Sequence, residues 1–146
     1  MEHIANGAIA LVRGNSLAPG LSGVVRFFDT PAGVRVDARI QGLPRNKTGF
    51  YGFHLHETGE CVPPDFVSAQ GHYNPSGAEH PLHAGDFPPL LATDALEAWL
   101  AFVTTRITIR DIIGRSVIIH TQRDDLTSQP AGDAGQRIGC GVIRML

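Results

Sequence analysis

From Gly33 to Gln41 the chain alternates without a break: Val34, Val36, Ala38 and Ile40 fall on one side, Arg35, Asp37 and Arg39 on the other. A period of two residues describes a strand with one face in a core and one in water, and it excludes a helix for this stretch. Two further strands precede it, Ala8–Arg13 and Ser22–Asp29, separated by the Gly14–Gly20 turn. Asp29-Thr30-Pro31-Ala32-Gly33 supplies a hairpin connection into the third, and Gly42-Leu43-Pro44 ends it. A fourth strand is expected over Gly49–Glu57. With 17 Gly and 10 Pro in 146 residues, the chain is cut into short elements joined by turns, which points to an all-β domain. The length suits one domain, 1–146, with a core of its own.

Downstream the signals are mixed. Asp94 and Glu97 mimic a helix capping box, and Ala95, Leu96, Ala98, Leu100 and Ala101 favour helix. Yet Ala98, Leu100 and Phe102 alternate with Trp99, Ala101 and Val103, and among neighbouring strands the segment Asp94–Val103 is assigned to a strand. Ile107–Ile113 is a connection of undetermined type. Gly114–His120 is a strand in which Ser116, Ile118 and His120 share a face, and Ile138–Ile143 is the last strand. Between them Thr121–Gln136 is polar and, at about 16 residues, longer than most connections, as functional loops often are.

The histidines carry the chemistry. Five of seven, His54, His56, His72, His80 and His83, fall between Gly52 and Asp86, and Asp86 follows the last by three residues. On a strand His54 and His56 project from one face while Phe53 and Leu55 project from the other. His72, His80, His83 and Asp86 lie in a segment punctuated by Gly and Pro, whose rings can converge on a point. Imidazole suits zinc and copper, and a carboxylate completes a zinc site, so the segment reads as one or two metal sites. A lone buried histidine is more often a hydrogen-bonded core residue; a cluster of this kind reverses that expectation. His3 is expected to be an exposed terminal residue without a role. Cys61 and Cys140 are either two independent buried thiols or a disulfide closing a long loop.

A net charge of -2 gives no basic field for nucleic acid. No apolar run approaches the roughly 18 residues of a membrane span. Met1–Asn6 has neither the basic start nor the apolar core of a leader, which makes the cytoplasm the default compartment unless a leader has been removed.

Taken together, Gly52-Phe53-His54-Leu55-His56-Glu57, Gly71-His72-Tyr73-Asn74-Pro75, His83-Ala84-Gly85-Asp86, Gly114–His120 and Ala134–Ile143 resemble the copper/zinc superoxide dismutases, in that family's order. The resemblance runs from about Leu21 to Ile143. It implies an eight-stranded Greek-key β-sandwich or barrel with long metal-binding and channel loops. It implies copper held by His54, His56, His72 and His120, zinc held by His72, His80, His83 and Asp86, and His72 bridging the two. Asp124 would hydrogen-bond one histidine of each set. Arg137 would guide the superoxide anion at the copper channel, and Cys61 and Cys140 would form the disulfide. A homodimer is compatible with it.

There are departures. The interval from His72 to His80 is shorter than in eukaryotic members, leaving a three-ligand zinc site completed by water as the alternative to His80. Tyr51 stands where many members have histidine, Ala131 where a threonine is common, and the channel loop has no lysine. A copper-handling module without turnover, or a zinc-stabilised structural domain, would share the fold; the full copper set and Arg137 favour the enzyme.

Overall fold

The third strand has the two faces its period demands: Val34, Val36, Ala38 and Ile40 are buried, while Arg35 and Arg39 are exposed. Burying each larger side chain contributes about 2 kcal/mol. A one-residue slip would turn all four to water, so the pattern fixes register as well as strand. The computed structural model describes residues 7–146; His3 lies outside them.

The elements are β1 (Gly7–Gly14), β2 (Ser22–Thr30), β3 (Gly33–Gln41), β4 (Phe50–Tyr51), β5 (Phe53–His56), β6 (Leu90–Leu91), β7 (Ala98–Thr104), a helical turn α1 (Ile109–Ile112), β8 (Ser116–His120) and β9 (Arg137–Met145). Seven strands form one curled antiparallel sheet in the order β5-β8-β9-β1-β2-β3-β7, and β4 pairs with β6 apart from it. The all-β barrel architecture is the expected one.

Three local details differ from the sequence reading. The fourth strand is divided at Gly52, whose amide donates to Gln122 O and whose carbonyl accepts from His120 N–H. A Cβ at Gly52 would lie 2.7 Å from Ala134 Cβ and 3.3 Å from His120 Cβ, so the sheet closes against this backbone only because no side chain is there. The strand assigned to Asp94–Val103 begins at Ala98. Ahead of it Leu96 takes φ 60, and Thr93 N–H donates to Glu97 O, a tight turn in place of a cap. A ten-residue helix is marginal in water, whereas β7 gains a ladder on β3 from Val34↔Thr104 to Ile40↔Ala98. The undetermined connection Ile107–Ile113 holds α1, started by Thr108, whose hydroxyl accepts from Asp111 N–H, and anchored by buried Ile109 and Ile112.

The central strands separate two apolar clusters. Phe53, Leu55, Val117 and Ile119 join Phe27, Val36 and Leu90 in the main core. Ile118 points the other way and packs with Phe66, Ala69 and Cys140 in a smaller cluster. Cys61 and Cys140, 79 residues apart, are bonded there. Strand alternation thus sends Phe53 and Leu55 inward and leaves His54 and His56 on the side of the loops.

Candidate metal centre

His54 and His56 come from β5, and His120 ends β8, the strand paired with it (His54↔Ile118, His56↔Ser116). His72 reaches the same place through an isolated bridge between His56 and His72, and a second bridge, His54↔Asp86, draws in the following segment. Ligand atoms of His54, His56, His72 and His120 all lie within 4.8 Å of one another, and those of His54, His72, His80 and Asp86 do likewise. All five of these histidines are buried, as is His83.

Hydrogen bonds decide which nitrogen each ring offers. A carbonyl or a carboxylate can only accept here, so the facing ring nitrogen carries the proton and the other keeps its lone pair. His56 Nδ1–H donates to Gln70 O at 2.7 Å and His120 Nδ1–H to Gly135 O at 3.1 Å, which leaves both Nε2 atoms free. His54 Nε2–H donates to Asp124 Oδ2 at 2.7 Å and His80 Nε2–H to Asp124 Oδ1 at 2.8 Å, which leaves both Nδ1 atoms free. Asp124 therefore holds one ring from each group. Those four nitrogens, with His72 Nε2 and Asp86 Oδ1, are buried and have no hydrogen-bond partner among the described residues. Orphaned buried polar atoms are costly, and six lone pairs turned to two points are what metal ions would satisfy.

The second group has the spacing of a coordination shell. Asp86 Oδ1 is 2.8 Å from His72 Nδ1 and 3.0 Å from His80 Nδ1, yet hydrogen-bonds to neither. His83 Nδ1 lies 3.0 Å from His72 Nδ1 and 3.2 Å from Asp86 Oδ2. Ligand bonds of about 2.0 Å in a tetrahedron put donor atoms about 3.3 Å apart, close to these separations. His54 and His72 belong to both groups. Asp124 takes Nε2 of His54 and leaves it Nδ1 alone, whereas His72 Nδ1 lies against His83 and Asp86 and its Nε2 is still free.

Electrostatics keep the rings ready. Burial, with His72 nearby, lowers His54 to about 4 against the hydrogen bond and charge of Asp124 and the charge of Asp86, which pull it up. Burial, with His54, His72 and Arg137 nearby, lowers His120 to about 3, and burial holds His56 well below its ordinary value. The rings are thus neutral at physiological pH and offer lone pairs without competing protons. Burial would raise Asp86, but His72, His80 and His83 around it more than offset that and hold it below the usual carboxylate range. Burial would raise Asp124 too, and its hydrogen bonds from His54, His80 and Leu126 N–H outweigh it.

Arg137 stands opposite His120 across the β8–β9 ladder, beside a register shift at Ile119/His120. Its Nη1 donates to Phe66 O at 2.9 Å, and its charge acts on His56 and His120. Tyr51 is fully buried, its hydroxyl bonded to Pro44 O, and takes no part.

Some contributors were invisible in the sequence. Gln70 and Gly135 act through carbonyls, which every residue has. Buried Asn15 donates to Pro64 O and Arg137 O, both at 2.8 Å, and so ties the first turn to the disulfide loop and to β9. Gly132, with φ 73, lets the channel loop close over Asp124: a Cβ there would lie 1.9 Å from Asp124 Oδ1. A glycine in a polar loop gave a turn signal and nothing more.

Similarity to known proteins agrees with this geometry. A sequence model of the copper/zinc superoxide dismutase family matches residues 21–143. A copper/zinc superoxide dismutase of Aquifex aeolicus is 40% identical over 136 residues, covering 84% of this chain and 78% of its own. That of Deinococcus radiodurans is 33% identical over 147 residues, covering 86% and 79%. The solved Cu/Zn superoxide dismutase from Brucella abortus superposes with a TM-score of 0.80 at 27% identity, over 93% of this chain and 98% of that one. With the match spanning most of the chain, it belongs to the copper/zinc superoxide dismutase family.

Proposed function

We propose that the chain works as one domain that converts two superoxide anions and two protons to dioxygen and hydrogen peroxide. His54 Nδ1, His56 Nε2, His72 Nε2 and His120 Nε2 hold copper. His72 Nδ1, His80 Nδ1, His83 Nδ1 and Asp86 hold zinc. The observation that carries this reading is the pair of buried ligand groups that share His54 and His72, with six buried polar atoms left unpartnered among the described residues.

When bound, copper supplies a one-electron couple that takes an electron from one superoxide and returns it to another, while zinc supplies a fixed positive charge without redox chemistry. The protein does the rest. His72 Nε2 could hold a proton when it is not engaged as a ligand and give it to the peroxide that forms as the second superoxide gains its electron; the second proton would come from solvent. Its other nitrogen, kept among His83 and Asp86, holds the ring in place meanwhile. Asp124 fixes the orientation of His54 and His80 together. Arg137 offers a permanently charged, planar donor to the arriving anion.

Copper- and zinc-loaded protein should dismute superoxide near the diffusion ceiling of roughly 10⁹ M⁻¹s⁻¹. His120→Ala should abolish that while the fold, followed by circular dichroism, persists. Undiminished turnover in this variant would remove His120 from the copper set. The reading extends to a homodimer, with Leu11, Trp99 and Met145 as exposed apolar side chains for a second copy; sedimentation of the loaded protein tests it.

A further inference from the structure

The segment His80–His83 belongs to no strand, so its backbone groups must find partners elsewhere. Two side chains from other loops provide most of them. His80 N–H donates to Gln129 Oε1 at 2.9 Å, and Gln129 Nε2 donates back to His80 O at 2.6 Å. The amide of Gln129 thus pairs with one residue's backbone as a neighbouring strand would. From the loop between β7 and α1, Arg106 Nη1 donates to Pro81 O at 2.8 Å and His83 O at 3.3 Å. From within the same stretch, His83 N–H is satisfied by Asp86 Oδ2, Leu82 N–H by Glu79 O, and His83 O also accepts from Asp86 N–H at 3.0 Å.

We propose that Gln129 and Arg106 are positioning residues for the zinc ligands, standing in for the strand pairing that a short metal loop cannot make; this rests on the reading of His80 and His83 as ligands. Only seven residues separate His72 from His80. A chain that short has few internal contacts with which to aim two imidazoles at one point. Gln129 and Asp124 lie five apart in the channel loop, and between them they hold His80 by both backbone and ring. Zinc affinity and the order of the channel loop are then one equilibrium, and by linkage each must strengthen the other.

Both positioning residues are exposed, so their replacement leaves the core intact. Zinc affinity of the metal-free protein is measured by competition with a chromophoric chelator for Gln129→Ala, Arg106→Ala, His80→Ala and the Gln129→Ala/His80→Ala double variant. Amide hydrogen exchange of 121–136 is followed alongside, with the urea midpoint of the metal-free protein as the control for general stability. Gln129→Ala and Arg106→Ala should each weaken zinc about tenfold or more. Gln129→Ala should also speed exchange in the zinc-bound channel loop, with the metal-free midpoint unmoved. In the His80→Ala background it should add less than about twofold, because the backbone pairing survives but the imidazole it positions is gone. Zinc affinity within about twofold of the parent in both single variants would overturn the proposal. So would an equal loss with and without His80. Parental zinc affinity in His80→Ala would instead overturn the ligand reading beneath it.

Discussion

Neutral, desolvated imidazoles make the metal-free protein sensitive to acid in a calculable direction. His54 at about 4 and His120 at about 3 lie below the ordinary 6.5, so the unfolded chain binds protons that the folded chain refuses. Stability is full above 6.5 and falls as pH drops from there toward the folded values, at a cost of about 3 kcal/mol for His54 alone. Urea midpoints of the metal-free protein between pH 7 and 4 should fall steadily, and a flat profile would contradict the burial of these rings. The metal-loaded protein should resist further into acid, since protons must first displace the ions. At this scale the sequence was informative where identity is the message: seven histidines and two cysteines are few enough to be noticed, while Asp86, Asp124 and Arg137 stood out only by their places beside those motifs. Asn15, Gln129 and Gly132 pass as ordinary turn residues until the fold shows what lies against them.

At the scale of elements, β9 gathers the site's supports. Arg137 faces His120 at its start, and Cys140, three residues on, faces Ile118 and is bonded to Cys61. The disulfide therefore fixes the loop whose Phe66 carbonyl receives Arg137. Closing a loop of that length contributes about 4 kcal/mol in the chain-entropy account. Cys61→Ser should lower metal-free stability by a few kcal/mol and slow the loaded enzyme. Two reactive thiols titrated in the native, unreduced protein would refute the bond in solution. Elements with strong alternation, β3 above all, were legible from their residues. The boundary of β7 was not, because Asp94 and Glu97 carry the local signals of a helix start while the deciding contacts come from β3. The division of the fourth strand depends on Ala134 and His120 pressing against Gly52, partners some 70 to 80 positions away in the sequence.

For the whole molecule, a net charge of -2 sets no attractive field for an anion, so the pull must be local. Arg137→Ala should lower the second-order rate and leave the copper spectrum unchanged. The parent should slow as salt rises, since such attraction is screened over about 8 to 10 Å, and the variant should slow less. Arg137→Lys should fall between them, retaining charge without the planar fork. Unaltered rate and salt dependence in Arg137→Ala would make it an ordinary surface residue. The order of the sheet has a consequence for how the molecule is made. Within the seven-stranded sheet, β9 alone joins β5 and β8 to the hairpins of β1, β2, β3 and β7. On a ribosome the first hairpins can form early, but the half that carries His54, His56 and His120 lacks its hydrogen-bonded link to them until β9 emerges. Metal capture therefore waits for β9, and a polypeptide stopped at Gln136 should keep hairpin structure yet bind copper no better than a peptide.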